Sequence, residues 1–587
     1  MLDVVPPAAL VLVAALLVAV LPRKVGHGAG ALATAGALAL SWLVPAGAHL
    51  QVTLFGAFDA VLYNVDSFSR LMGLIFSFIG LVAVVYSYAS DAERTQTAYA
   101  LSYVGTSLAA VFAGDWLTLV FFWELMAVTS TLLVWHYGGR AVRAGFRYAV
   151  LHGIGGSLVL AALVWHYAEA GTFLFTGEGI AAGVPAVLAA IGIGVNVGFV
   201  GLHAWLPDTY PRPHIAASVF LCVYTTKTGV YAMYRAFPDG HMAIAYMGGA
   251  MAVFGATMAL LQSDMRRLLS YHIQSQVGYM IAGVGLGTKL ATAGAFAHVF
   301  NHILYKSLLF MTVGVVIYRT GEESLKKVGG LARDMPITAV TFGIAALSIG
   351  GFPLFNGFVS KGMVVKAAHK EYVTLLGFDH VYVLWYLLLI GGVGTFLSFI
   401  KLGYHAFLHG SYDGKVLDAN RGQSVGLVSV AALCVLFGIR PPALYELLPY
   451  SDYAIENYHA YTAFHVGEVL VLVAIALVGF AVLKGPLKKV GRVPDIDAIY
   501  NPIAFYGTRG LVVGVTELYA AVDRAAVRFV GIVTDVAADP ESAVAATPLG
   551  DRALNDEYAH PLRAGFGTSI LLVTLVATLV LLAVLLG

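Results

Sequence analysis

The chain has 587 residues, 59% of them hydrophobic and 11% charged, with a mean hydropathy of +0.82, which excludes an ordinary soluble domain. With 34 basic and 33 acidic residues its formal net charge is +1, so it has neither a basic excess for nucleic acid nor an acidic tail. Its two cysteines, Cys222 and Cys434, lie in apolar runs without metal-ligand spacing; a disulfide framework, an iron–sulfur site and any resident cofactor are therefore not expected.

The first apolar run, near Val5 to Leu21, lacks a basic leader and is followed by Arg23 and Lys24, which fits a first membrane span better than a cleaved signal peptide. Further runs long enough to cross about 30 Å of hydrocarbon begin near Ala29, Leu71, Thr97, Trp116, Tyr148, Gly183, Ile215, Ala243, Leu269, Thr292, Thr338, Val381, Gly426, His465 and Gly565. The expectation is an all-α, polytopic membrane protein of about sixteen transmembrane helices. Arginine and lysine concentrate in the loops after odd-numbered spans, as at Arg94, Arg140, Arg266 and Lys326, and this bias puts both termini on the outer side of the cell membrane. The exception is the basic segment holding Lys361, Lys366 and Lys370, which falls outside.

Two spans carry Gly and Pro at membrane depth: the seventh, from Gly192 to Asp208, and the twelfth, from Leu347 to Gly357. The twelfth follows the seventh at an offset of five spans, an odd number, so spans four to eight and nine to thirteen read as two inverted five-helix repeats whose broken helices line a midplane ion site. The chain divides into N-terminal transmembrane helices (1–95), a first repeat (96–237), a second repeat (238–410), C-terminal transmembrane helices (411–485), a polar or amphipathic segment (486–562) and a final transmembrane helix (563–587). Within the polar segment, Gly510 to Val536 reads either as an amphipathic helix on a membrane surface or neighbouring subunit, or as part of a solvated linker.

Charges inside the expected spans are few. His298, His302 and Lys306 in AFAHVFNHILYKSLLF are spaced i, i+4, i+8 and share one helix face, roughly 6 Å of rise apart. Glu124 in FFWELMAVTS, Lys227 in VYTTKTGVY and Lys361 in FNGFVSKGMV complete the set. An unpaired charge in hydrocarbon costs several kcal/mol, so these residues must pair or conduct. The isolated His136, His152, His203 and His272 lie nearer span ends and read first as hydrogen-bonded structural residues. Lys401 can snorkel to an interface, while Asp66 and Asp115 read as helix caps.

Six motifs in order, WELM (Trp123 to Met126), LHAWLPD (Leu202 to Asp208), TTKTGVY (Thr225 to Tyr231), DMRRLLSYHIQSQVGYM (Asp264 to Met280), HxxxHILYKSLLF (His298 to Phe310) and GGFPLFNGFVSK (Gly350 to Lys361), resemble the antiporter-like membrane subunits. That family is shared by respiratory complex I, membrane-bound hydrogenases and Mrp-type multisubunit cation/proton antiporters. The resemblance is greatest to the D-subunit-like branch of the Mrp type. It implies a proton pathway through Glu124, Lys227, His298, His302, Lys306 and Lys361, with Asn196, His203 and His272 as auxiliary positions. One departure is Asn196, where many relatives carry the lysine that partners the fifth-span glutamate. Lys227 or His203 would then take that role, or coupling in the first half differs.

The function expected from the resemblance is proton translocation within a multisubunit Na⁺/H⁺ antiporter. Its alternatives are a proton-pumping subunit of a complex I-like NADH:quinone oxidoreductase or membrane hydrogenase, and a membrane subunit of an inorganic carbon uptake system. The chain reads as a transporter subunit and not as an enzyme in itself. Partners would be other membrane subunits, H⁺, Na⁺ and the lipid bilayer, with no nucleic acid; the route of a metal cation stays open.

Overall fold

The computed structural model describes residues 5–54, 56–375, 378–491, 493–547 and 566–586; the part of the polar segment from 548 to 562 lies outside the described residues. The chain forms two units, Met1–Pro494 and Asp495–Gly587. The first opens with α1 (Pro7–Val20) and α2 (Arg23–Leu43), then a hairpin of β1 (Gly47–Leu54) and β2 (Phe58–Val65), antiparallel with Gly47 opposite Val65. There follow α3 (Ser67–Ala89), α4 (Arg94–Val111), α5 (Trp116–Trp135), α6 (Arg140–Ala170), α7 (Val184–Val197), α8 (Trp205–Thr209), α9 (Ile215–Leu221) and α10 (Tyr224–Ala236). The next stretch is α11 (Met242–Leu260), α12 (Met265–Leu286), α13 (Lys289–Thr320), α14 (Pro336–Gly350), α15 (Asn356–Ala368), a small hairpin of β3 (Val373–Leu375) and β4 (Phe378–Val381), and α16 (Val383–Gly403). The unit closes with α17 (Arg421–Ile439), α18 (Pro441–Tyr445), α19 (Ser451–Asn457) and α20 (Ala463–Lys489).

The second unit holds α21 (Asp497–Ala538), α22 (Pro540–Ala545) and α23 (Phe566–Leu586). The helix expected between Gly510 and Val536 is part of α21, which runs for 42 residues and buries none of them within the unit.

The protein is a mostly helical, multi-pass membrane protein. Each of the runs expected to span lies on a helix or a broken helix pair, but nine helices among the described residues are long and apolar enough to cross a membrane on their own. The count of sixteen crossings is therefore not established. The reason is composition: α1, α7 and α14 are short, and α2, α4 and α12 dilute their apolar residues with Gly, Ser, Thr, Gln and Arg. Two small two-stranded hairpins accompany the helices.

Polar caps start many of the helices. Asp66 caps α3 in a reciprocal box with Ser69, Asp115 caps α5 through the Thr118 N–H, and Asp264 caps α12 through the Arg267 N–H, each satisfying an amide left free in the first turn. Asp115 forms an isolated antiparallel bridge with Leu174, beyond α6, and Asp264 forms one with Ser324, beyond α13. The succession of capped helix, long helix, bridge and broken helix thus occurs twice. The α9–α10 span and helix α13 are the most enclosed of the candidate spans, with 100% and 94% of their apolar windows buried, against 17% for α20.

Candidate functional site: a buried row of protonatable groups

The breaks in the helices decide where the lysines go. Helix α7 ends in a left-handed Gly198 and α14 in a left-handed Gly351. In both, the residue beyond the glycine closes the turn: Phe199 N donates to Gly194 O and Phe352 N to Leu347 O, each at 2.9 Å. This is the closure of a Schellman cap, and a side chain at the glycine would be strained. Carbonyls near these ends then need donors. Val195 O accepts from the Trp205 indole at 2.9 Å and Gly198 O from the Gln274 amide at 3.1 Å. In the second half, Ile349 O accepts from the Lys361 ammonium at 2.6 Å.

A third break has no Gly or Pro. Between α9 and α10 the ladder opens at Cys222 and Val223. The Thr225 N–H donates to the Tyr103 hydroxyl at 2.8 Å, and Cys222 O accepts from Lys227 Nζ at 2.6 Å. Lys227 and Lys361 therefore both sit at the carbonyl ends of half-helices, where a cation is favoured by the helix dipole as well as by the hydrogen bond.

Lys306 is different. It lies on the unbroken α13, fully buried, and its Nζ has no hydrogen-bond partner. Its neighbours are the rings of Phe310 at 5.9 Å and Phe399 at 5.8 Å. His272 packs on the same Phe399, with 4.8 Å between ring centroids, and both its nitrogens are buried without partners. One turn below Lys306, His302 is likewise unpartnered, 5.3 Å from the Tyr305 ring and 6.2 Å from that of His298. His298 Nδ1 lies 3.0 Å from the hydroxyl of Ser360, the residue before Lys361, and its Nε2 lies 3.3 Å from the Tyr305 hydroxyl. Asn301 donates to Asn356 O at 2.9 Å, which ties α13 to the start of α15. The ladder thus runs from Lys306 toward the Lys361 end. Buried polar atoms with no protein partner are costly in apolar surroundings, and such a row is where water is retained inside a bundle.

The first half is organised otherwise than expected. Glu124 is half-buried on α5, and its carboxyl group occupies the space over Gly156 of α6: a Cβ there would meet Oε1 at 1.5 Å. Oε1 has no hydrogen-bond partner. Lys227 is held by Cys222 O, and His203 Nδ1 accepts from Gly201 N at 3.3 Å, with its ring against Phe254. Asn196 is buried with both amide atoms unpartnered.

Sequence reasoning also missed a chain of hydroxyls beside Lys227. Ser130 donates to Tyr148 at 2.9 Å, Tyr148 lies 2.9 Å from Thr225 Oγ1, and Tyr103 lies 2.6 Å from the same atom. His152, set aside as an isolated histidine, stacks on Tyr148 with ring centroids 3.8 Å apart, its Nε2 buried without a partner. It is one turn before Gly156, the glycine under Glu124. A second omission is Glu468 in α20, whose Oε1 is buried and unpartnered; the signal was a lone carboxylate in the apolar run HVGEVLVLV.

At the ends of the helices the charges pair. Arg235 bonds Asp66 and lies over the Tyr231 ring at 4.8 Å; burial pushes the Asp66 carboxyl up, but Arg235 and the Ser69 amide outweigh it and hold it below its ordinary value. Asp208 joins Arg147 to Arg267, and Arg266 bonds Glu323. His214 caps α9 by accepting from Ala216 N, and burial, with the Arg266 charge, pushes it down to about 4, so it stays neutral and able to accept. Lys401 does not snorkel: it donates to Leu260 O and Gln262 O at 2.7 and 2.6 Å, capping α11. Asp66 and Asp115 are helix caps, as expected. Among the described residues no group of three or more His, Cys, Asp or Glu is placed to hold a metal ion.

Fold and site together define a polytopic membrane protein with a protonatable interior. The chain belongs to the NADH:quinone oxidoreductase/Mrp antiporter transmembrane family, whose model matches residues 113–382. It is 28% identical over 408 residues to the D-type subunit of the Na⁺/H⁺ antiporter of Alkalihalophilus pseudofirmus, a match covering 65% of this chain and 80% of that protein. In structure it is similar to a chain of the Mrp complex from Dietzia sp. DQ12-45-1b, with a TM-score of 0.76 at 23% identity over 90% of this chain and 62% of that one. It is also similar to a chain of the membrane-bound sulfane sulfur reductase, an archaeal respiratory membrane complex, with a TM-score of 0.68 at 23% identity over 98% of this chain and 100% of that one.

Proposed function

We propose that this chain is the proton-translocating subunit of a multisubunit monovalent cation (Na⁺)/proton antiporter of the cell membrane. Protons pass along Glu124, Lys227, Lys306, His302, His298 and Lys361, with Asn196, His203 and His272 beside the path. Residues 96–237 and 238–410 act as inverted repeats around it, flanked by transmembrane helices in 1–95, 411–485 and 563–587, and both termini lie on the outer side. Other membrane subunits complete the assembly and provide the cation route.

The observation that carries this reading is Lys306: an ammonium-capable group at the centre of an apolar bundle, with no acceptor of its own and with unpartnered histidines on either side. Lys227 and Lys361 have a fixed carbonyl each. Lys306 keeps a proton only while water or a neighbouring group serves as acceptor, so its loading is the step that a change of charge or shape nearby can control. The antiporter relative supports a cation gradient as the driver. The end-to-end likeness to a respiratory-complex chain favours a second reading, in which the same row is driven by redox chemistry in a partner.

The test is sodium-induced proton flux in inverted vesicles from an antiporter-deficient host, with this chain co-expressed with its genomic neighbours. The expected result is sodium-dependent flux that Lys306→Ala abolishes while the complex still assembles. Flux intact in Lys306→Ala refutes the row as the path; an assembled complex without sodium response moves the assignment to redox-driven pumping.

A further inference from the structure

Beyond Lys361 the structure holds a cavity of about 250 Å³, walled by α15, α16, α20 and the segment before α20, with Val365, Lys366, His369, Tyr458, His465 and Glu468 among its lining. Nothing in the pathway described above uses it. Three observations tie it to the row. Side chains of α20 and of the segment before it reach α15 at Gly362, the residue after Lys361: a Cβ there would meet His465 Cε1 at 2.1 Å and the Tyr458 hydroxyl at 2.2 Å, so these two rings fill the space that the glycine leaves. Lys361 Nζ lies 4.8 Å over the Tyr279 ring, and the Tyr279 hydroxyl donates to Leu388 O of α16, the helix that also brings Trp385 to the cavity wall. Tyr279 thus joins Lys361 to a wall of the cavity. Third, the Tyr458 hydroxyl and Glu468 Oε1 are buried and have no hydrogen-bond partner.

Glu468 lies on α20, the least buried of the nine candidate spans among the described residues; Trp385 bonds its carboxylate, but no ion pair with a cation is formed there, and a carboxylate so placed is expensive unless it has a use. The cavity also reaches exposed side chains at the C-terminal end of α15, Lys366 and His369, so it joins the interior to a helix end. Residue 468 lies outside the stretch matched by the family model.

We propose that Glu468 and this cavity form the outer port of the proton row. The inference rests on the proposed function. A proton leaves the Lys361 ammonium, the N–H bond breaking to give the neutral amine. Water in the cavity carries it, and Glu468 takes it up as an O–H bond, the ammonium and the carboxylate becoming two neutral groups. Glu468 then releases it to water at the cavity mouth and regains its charge. His465, stacked on Phe358 with ring centroids 4.1 Å apart and with Nδ1 2.9 Å from Ala460 O, holds the wall and presents Nε2.

The experiment uses the assembled complex. Glu468→Gln is expected to cut proton flux by about tenfold or more, with Glu468→Asp retaining most of it. Val365→Cys, at a position buried in the cavity wall, is expected to react with a membrane-impermeant thiol reagent from one face, the face opposite that from which Lys327→Cys reacts, and its labelling to lower the flux; the wild type, with both cysteines buried, is the blank. Wild-type flux in Glu468→Gln, or a Val365→Cys that stays unlabelled, overturns the port. Lys306→Ala run in parallel separates the two ideas: if it abolishes flux while Glu468→Gln does not, only the port fails, and if it leaves flux intact the row fails. Labelling is read without flux, so it decides even where Glu468→Gln disturbs assembly.

Discussion

Three buried lysines with one side chain in common are held in two ways, and the difference is measurable. Lys227 satisfies Cys222 O, a carbonyl released by the break between α9 and α10, and Lys361 satisfies Ile349 O. Lys306 satisfies nothing and touches only ring faces at the limit of useful cation–π range. Methionine at position 306 fills a similar volume without the desolvation penalty of an ammonium; at position 227 it leaves a buried carbonyl without its donor. Lys306→Met should therefore leave the protein more stable than Lys227→Met, by about 1–3 kcal/mol, although both lower flux by about a hundredfold or more. Thermal unfolding of the purified variants in detergent checks this; equal shifts would mean that Lys306 has a structural acceptor after all.

The helix breaks act through backbone geometry. Gly198 and Gly351 have φ of +77° and +86°, so alanine at either should cost about 1–2 kcal/mol. Their surroundings then diverge. A Cβ at 198 would meet His203 Cβ at an ordinary 3.5 Å, whereas at 351 it would press on Lys361 Cδ at 3.3 Å. Gly351→Ala and Gly198→Ala should lose similar stability, but Gly351→Ala should lower proton flux further, by about tenfold, because it displaces a group in the path. Matched flux in the two variants would show that Lys361's position is not critical. These two breaks were legible in the sequence because Gly and Pro announce them, and the ionisable residues because charge is rare in an apolar run. The break at Cys222 was not legible: it depends on the Tyr103 hydroxyl reaching Thr225 from α4, a contact made only in the folded chain. Glu124 was legible as a residue but not in its setting, since what it faces is the bare backbone of Gly156, 32 positions away. Glu468 was overlooked because its surroundings read as a plain span and the cavity it enters is built by three other segments.

Across the whole first unit, the charges form one row or two, and the proposed path takes them as one. Helix α13 carries His298 through Lys306 over about 12 Å of rise, with Lys361 joined to its His298 end through Ser360. On the other side, Lys227 lies two positions from Thr225, the meeting point of the Tyr103 and Tyr148 hydroxyls, and Tyr148 leads by stacking to His152, one turn from the glycine under Glu124. Like charges held in a row repel, so several ammoniums at once are disfavoured and a proton entering at one end favours release at the other. In a serial path, blocking a second station after the first changes nothing more. Lys227→Met and Lys361→Met should each reduce flux by about a hundredfold, and the double variant should be no slower than the worse single one. On the proposed path, in which the hydroxyl chain carries protons between Glu124 and Lys227, the same lack of additivity is expected for Glu124→Gln with Lys361→Met. Fluxes of the singles and doubles in vesicles with equal complex content form the cycle. Multiplying effects for Lys227 and Lys361 would divide the row into two independent paths, and multiplying effects for Glu124 alone would remove the first half from it and leave Lys227 as the point of entry.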